Sequence, residues 1–450
     1  MYDAARNLAL GKGLSIDGQL TNGVQPLLVF LIAPLFLILD RFEAVIAIQV
    51  LLTLIFVGSG FVLLTALTNP QDTVVARLSF LLVYFGSFSI VRHAFNGMET
   101  GLVLFLFSII LWQLKTYPHE NAGWRQSLPL GLTLGLLCLA RIDMIILAAI
   151  FPVFLALMGT RLASTATVAF VAAVTVSPWL LYNYVEFGSF IPTSGRALAY
   201  GIVSPFYVNV LGAVRRNASL FIFVELFPIL LLLVVPVLAM GIKPLWSAMN
   251  RPQAALLAAS LCTMPIIGLY YANYSYAAFF YPRYFILVSL FAALTFTFGL
   301  RQLMMGGTFV LFLISSALFL LNTWVFYTQK FEGISYWNGP TRDQVILAEK
   351  FQSECPRIAA FQTGTLGFWI DRPVKNLDGR VDAKSMAALW DRTLHREIDD
   401  RDCLIDFHDY IVGRFYWDPD LALLDLDRIY PAEQVEPQKY EWSVWMRRRP

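Results

Sequence analysis

The chain has 450 residues, of which 58% are hydrophobic and only 14% charged, and its net charge is +2. A soluble domain carries about a quarter charged residues, so composition excludes an ordinary soluble enzyme. The net charge says nothing about partners, and no basic block points to nucleic acid. The apolar residues come in long blocks, which predicts a polytopic α-helical membrane protein.

In chain order, residues 1–43 begin with a polar segment in which "GKG" and "DGQLTNG" mark turns. Arg6, Asn7, Asn22 and Gln25 place hydrogen-bonding groups there, near a membrane surface. Taken alone, the segment reads as a cap on the bundle. No basic start leads into a short apolar core and a small-residue cleavage site, so no signal peptide is expected. The run 26–39 holds Pro26 and Pro34 and suits an interfacial or re-entrant segment. Spans are predicted at 44–67, 78–91, 101–114, 128–140, 142–158, 164–185, 218–240, 254–271, 284–300 and 308–327. Several fall short of the roughly 20 residues of a perpendicular crossing and must borrow flanking residues. Residues 328–450 are polar and mixed. There "RIAAF", "TLGFWI" and "YIVGRFYW" alternate and read as short strands between helices of a small soluble α/β domain. The expected division is a first loop at 1–43, a transmembrane bundle at 44–327 and the α/β domain at 328–450.

Alternating the spans places every unusual polar cluster on the face that holds residues 1–43 and the tail. Basic residues do not decide the sidedness. Arg77, Lys115, Arg125, Arg161, Lys243, Arg251 and Arg301 lie on one face, against Arg92, Arg141, Arg196, Arg215, Arg216 and Arg283 on the other. The short, plain loops of the first set read as cytoplasmic connectors, which makes the face with the clusters extracytoplasmic.

Four clusters carry chemistry. In "RHAFNGMETG", His93, Asn96 and Glu99 sit between two apolar runs. A carboxylate at the lip of the hydrocarbon is costly unless solvated, paired or used; solvation at a helix start is the bland alternative. In "LARIDM", Arg141 and Asp143 are two apart and cannot share a helix face; they fit a tight corner between spans. In "NYVEFGSFIPTSGRAL", Pro192 and Gly195 force a turn just before Arg196. A guanidinium suits a phosphate because its planar fork donates in pairs. "YYANYSYAAFFYPRY" adds aromatics and Arg283, as a sugar-stacking wall or an interfacial aromatic belt. No Walker loop or dinucleotide fingerprint occurs, and His93, His119, His395 and His408 lack metal spacing. An integral enzyme without a nucleotide site needs a membrane-borne activated substrate, for which polyprenyl-phosphate sugars are the obvious class. Their transfer needs a carboxylate for the acceptor proton and cations for the departing phosphate.

The ordered stretches "ARNLALGKGLSIDGQLTNGVQPL", "NGMETGL", "LARIDM", "NYVEFGSFIPTSGRAL", "YPRY" and "GTLGFWIDRPVKNLDGRVD" resemble GT-C-type bacterial membrane glycosyltransferases of the arabinofuranosyl- and mannosyltransferase-like branch. The resemblance implies a GT-C helix bundle in the bacterial inner membrane, an extracytoplasmic site, a polyprenyl-phosphate sugar donor and an inverting displacement onto a cell-envelope glycan or lipid acceptor. Glu99 is expected to face the same cavity as Arg141, Asp143 and Arg196 and to bind the donor or acceptor sugar, with a divalent metal ion as an option; Glu99 and Asp143 are the candidates for the catalytic carboxylate if the chain begins at Met1. The substrate-binding candidates on these clusters are Arg6, Asn7, Asn22, Gln25, His93, Asn96, Arg141, Asn183, Ser194, Arg196 and Arg283.

Two departures stand out. Gln25 occupies a position where His is more usual, and Met1 stands where such proteins have a transmembrane helix followed by an acidic residue or pair that serves as the catalytic carboxylate. The expectation is a truncated or misassigned start. The competing readings are a lipid-linked saccharide transporter, against which no internal repeat is visible, and an inactive relative with a scaffold role. Cys138 and Cys262 read as packing residues. Cys355 and Cys403 each precede a predicted strand, and adjacent parallel strands on an oxidising face would bring them into a disulfide.

Overall fold

The computed structural model describes residues 1–16, 18–68, 72–118, 120–197, 228–274, 282–303, 308–327, 339–360, 363–370, 374–378, 381–398, 401–407, 426–430 and 442–447. Helix α1 (Tyr2–Ala9) leads into a two-residue hairpin, β1 (Ser15–Ile16) with β2 (Gln19–Leu20). Pro26 opens α2 (Pro26–Ile32), where its missing N–H costs nothing. A 3-10 turn, Ala33–Leu37, follows and carries Pro34. Pro26–Leu37 is shorter than a membrane crossing, as the length of the apolar run predicts.

The bundle follows. Helix α3 (Arg41–Leu67) starts at a capping box in which Asp40 and Glu43 satisfy each other's backbone N–H. A broken pair, α4 (Val74–Gly86) and α5 (Phe88–Ala94), bends by 61° where Ser87 is extended. The span expected at 78–91 falls on this bent pair, a broken span or a re-entrant loop. Then come α6 (Thr100–Lys115), α7 (Trp124–Ala140), α8 (Ile145–Leu157) and α9 (Leu162–Phe187), with the short α10 (Thr193–Ala197). Helices α11 (Pro228–Ala248), α12 (Arg251–Tyr274), α13 (Ile286–Leu303) and α14 (Thr308–Tyr327) complete it. The seventh span thus runs past its expected end at 240, and residues 218–227 lie outside the described residues. Among the described residues, four helices are long and apolar enough to cross a membrane, or five if the bent pair counts as one.

Close helix approach rests on small residues, as in lipid it must. A Cβ added at Gly131 of α7 would lie 2.8 Å from the Val168 carbonyl oxygen, and one at Gly135 would lie 2.5 Å from the Thr175 Cβ, both on α9. At one end of the bundle, orphan carbonyls at helix C-termini take side-chain donors. Lys115 Nζ donates to Thr65 O and Thr68 O, and the buried Gln253 Nε2 donates to Ala66 O and Leu111 O. Arg161 donates to Asn121, and Arg301 pairs with Asp72. All these loops lie at the end that alternation assigned to the plain connectors. Cys138 is buried, but Cys262 is exposed on its helix rather than packed inside.

The tail is an α/β unit: α15 (Gly339–Lys350), β3 (Ile358–Ala360), α16 (Gly364–Trp369), β4 (Val374–Asn376), α17 (Ala383–Asp391), α18 (Leu394–Ile398), β5 (Cys403–Phe407), β6 (Leu426–Tyr430) and β7 (Trp442–Arg447). The sheet order is β4-β3-β5-β7-β6, parallel among the first three and antiparallel beyond. A disulfide joins Cys355 to Cys403, the latter inside β5 rather than ahead of a strand.

"TLGFWI" forms helix α16, not a strand. Its alternation has another cause: Leu366 and Ile370, four apart, enter the tail's own core, while Phe368 enters the cluster built by the N-terminal segment. Two cores on two sides of one short helix imitate a period of two. The run "YIVGRFYW" lies outside the described residues.

Candidate active site

The centre of the site is Arg141. Helix α7 ends there because Arg141 is extended (φ −156°, ψ 111°), and Ile142–Met144 then makes one 3-10 turn. That corner lets two residues that could not share a helix face meet. Arg141 Nε donates to both oxygens of Asp143, at 2.9 and 3.1 Å. Its Nη1 donates to the Arg283 carbonyl oxygen at 2.6 Å and lies 3.9 Å from Glu99 Oε1. The guanidinium is 2% exposed. An ion so deeply buried is kept only if paired, and here two carboxylates share it. Its Nη2 donates to no described residue.

Glu99 occupies the N-cap position of α6, yet its side chain makes no cap hydrogen bond, and the residue is 2% exposed. The solvated helix-start reading therefore fails, although the helix dipole still favours a negative charge there. Oε2 is buried without a hydrogen-bond partner among the described residues. Such a group costs about 1–3 kcal/mol, and more when charged, so a buried unpartnered carboxylate oxygen marks a position awaiting a donor.

Aromatic residues that sequence reasoning passed over close the ring. The Arg141 guanidinium lies 4.8 Å from the Tyr284 ring centroid, and Tyr271 stacks on Tyr284 at 4.3 Å with the planes 5° apart. Tyr271 Oη donates to Asp143 Oδ2 at 3.4 Å. Both tyrosines stand in the aromatic run already marked as a wall, but no signal separated them from its other rings. Arg283 also approaches Tyr284, 5.5 Å from the centroid, and donates to Met98 Sδ.

The other candidates divide into three groups. Gln25 reaches this centre: its Oε1 accepts from the Ile142 backbone N–H at 3.2 Å, tying the first loop to the corner. Asn22 and Asn183 belong to a neighbouring buried group. Asn22 Oδ1 accepts from the Thr193 N–H at 2.9 Å and from the Thr193 hydroxyl, and Asn183 Nδ2 donates to Phe190 O. These bonds fix both amide orientations. Asn22 Nδ2 and Asn183 Oδ1 then lack partners among the described residues, as does Trp179 Nε1. The rest serve local structure or are more exposed than this centre. Asn7 donates to Ser15 O and holds α1 to the hairpin, and Asn96 Oδ1 accepts from the Met98 N–H to shape its turn. His93, Arg6 and Ser194 are half-buried, and Arg196 is exposed.

Among the described residues, no group of three His, Cys, Asp or Glu could hold a metal ion. Glu99 and Asp143 are instead arranged around a guanidinium, a donor set that suits a fixed organic cation better than the six or more oxygens a hard divalent ion takes.

No family model matches the chain, and no curated protein matches it. Solved structures that match in fold include ArnT from Cupriavidus metallidurans in the apo state, with a TM-score of 0.56, and ArnT from the same organism bound to undecaprenyl phosphate, with a TM-score of 0.57. Each is 13% identical, and the match covers 99% of this chain and 92% of the other. At that identity the likeness is one of fold. The chain is a polytopic helical membrane protein whose bundle shares its fold with ArnT and whose C-terminal part is an α/β unit.

Proposed function

We propose that the chain is a glycosyltransferase that takes a sugar from a polyprenyl-phosphate donor and places it on a hydroxyl of a cell-envelope glycan or lipid. The observation that carries this reading is the buried Arg141 cluster, two cations and two carboxylates at one end of the bundle. It stands in a fold whose neighbour was solved with undecaprenyl phosphate.

In an inverting displacement the acceptor oxygen attacks the anomeric carbon, the bond from that carbon to the phosphate oxygen breaks, and the acceptor proton passes to a base. Glu99 and Asp143 are not equivalent for this task. Both Asp143 oxygens accept from Arg141, and one also accepts from Tyr271; Asp143 is suited to aiming the guanidinium. Glu99 Oε2 has capacity left and is suited to take the acceptor proton. Arg141 Nη2 and the Arg283 guanidinium would stabilise the leaving phosphate, whose charge grows as the bond breaks.

The same reading puts the protein in the bacterial inner membrane with this end extracytoplasmic. The Cys355–Cys403 disulfide supports that side, since disulfides persist in oxidising compartments. The tail meets the end of the bundle that carries the site, because Arg41 Nη1 donates to Trp369 O at 2.9 Å.

Undecaprenyl phosphate and the uncharged alcohol undecaprenol, presented to the purified protein in nanodiscs, test the reading. The wild type should retain the phosphate at least tenfold better, and Arg141→Lys should lose most of that preference because an ammonium lacks the planar fork. Equal retention of phosphate and alcohol would overturn it.

A further inference from the structure

A chain of contacts runs from the soluble tail to the turn that carries Glu99. Phe368 of α16 is buried in the N-terminal segment's cluster, its ring edge-on to Tyr2 at 6.2 Å and to Phe36 at 6.0 Å. Tyr2 Oη accepts from Gln49 Nε2 at 2.9 Å, which joins α1 to α3. Both groups press on Gly97. A Cβ there would lie 2.6 Å from Gln49 Nε2 and 2.8 Å from Tyr2 Oη. Gly97 has φ +74°, a conformation that glycine alone adopts without cost. Two residues on, Glu99 begins α6 with its carboxylate beside Arg141. The turn is thus fixed by its left-handed residue and by the pair lying over it. No capping bond from Glu99 contributes.

We propose that Tyr2, seated by Phe368 of the tail, is a positioning residue for Glu99: with Gln49 it clamps the Gly97 turn that aims the carboxylate at Arg141. The proposal rests on the reading of Glu99 as a working group only for its consequence in catalysis; the clamp itself is mechanical. Tyr2→Phe keeps the ring against Phe368 and removes the hydroxyl. Phe368→Leu keeps apolar volume and removes the edge contact. Spatial intermediacy alone does not establish coupling, so the test must read the turn directly.

Hydrogen–deuterium exchange of the full chain in nanodiscs does so. In Tyr2→Phe the amides of residues 96–100 should exchange about fivefold faster, the effect of losing roughly one hydrogen bond, with exchange elsewhere in α6 unchanged. Phe368→Leu should move the same peptide in the same direction. Tyr2→Phe combined with Gln49→Met should exchange no faster than Gln49→Met alone, because both remove one bond. Asn250→Ala, at the opposite end of the bundle, controls for general loosening and should leave the peptide unmoved. Unchanged exchange at 96–100 in Tyr2→Phe, or additive effects in the double variant, would overturn the clamp. If turnover is then measured, Tyr2→Phe should lower kcat and leave KM. An inactive wild type with a coupled turn would count against the transferase reading and leave the clamp standing.

Discussion

The guanidinium of Arg141 rests against the ring of Tyr284, 4.8 Å from its centroid. In a desolvated site such a contact contributes about 2 kcal/mol, and here it also backs the guanidinium from one side. Tyr284→Leu should therefore lower kcat/KM for a polyprenyl-phosphate donor by roughly 30-fold, the equivalent of that energy. Tyr284→Phe, which keeps the ring, should stay within about threefold. Turnover with a radiolabelled donor separates the two, and equal losses would mean that the phenol rather than the ring is what matters.

Glu99→Gln and Asp143→Asn should fail in different ways. Glu99 Oε2 has no hydrogen-bond partner among the described residues and the other oxygen stands 3.9 Å from Arg141, so Glu99→Gln should lower transfer by about a hundredfold or more and cost little thermal stability. Asp143 is the close ion partner of a buried arginine. Breaking a buried pair from one side costs about 3–5 kcal/mol, so Asp143→Asn should lower the melting temperature as well as activity. Thermal scans beside activity assays read both. A Glu99→Gln protein as unstable as Asp143→Asn would make Glu99 a structural counter-ion.

The bundle was legible because hydrocarbon imposes long apolar runs, and the alternation of those runs put Glu99, Arg141 and Arg283 at one end before any packing was known. The meeting of Arg141 with Asp143 was legible as a corner, since no helix could bring them together. What stayed hidden depends on contacts distant in sequence. Tyr271 and Tyr284 look like any aromatic belt until their rings stack. The bend at Ser87 has no proline to announce it. Helix α16 was misread because its apolar residues face two separate cores, which local periodicity reports as a strand. Asn7, a site candidate by its type and place, donates to Ser15 O and holds the hairpin, a contact that no local pattern announced.

The Cys355–Cys403 disulfide closes a loop of 48 residues at the paired ends of β3 and β5. In the loop-entropy model that contributes about 4 kcal/mol, almost all of it to the tail. A Cys355→Ser, Cys403→Ser protein should show tail proteolysis at markedly lower temperature while the membrane helices stay protected. The wild type should gain two alkylation masses only after reduction. Alkylation of both sulfurs without reduction would place the tail in a reducing compartment and reverse the sidedness proposed above.

Lys375 supplies a pH signature in that same tail. It stands on β4 with its ammonium 2.7 Å from Asp382 and 2.6 Å from Glu397, and Asp382 also caps α17 through the Lys384 and Ser385 N–H groups. Burial opposes its charge, yet the two carboxylates outweigh burial and hold its pKa above the ordinary 10.5. A cation whose folded pKa is raised adds stability that is fully present below the unfolded value, near 10.4, and is lost as pH rises through the folded one. Lys375→Met leaves the two carboxylates without their cation at every pH. Its melting temperature should therefore lie below that of the wild type by a constant margin from pH 8 to about pH 10, and the margin should shrink above about pH 10.5 as the wild-type lysine loses its proton. Paired thermal scans of the two proteins across that range check this. A margin that stays constant to pH 11.5 would mean that Lys375 stabilises the tail through the packing of its stem and not through its charge.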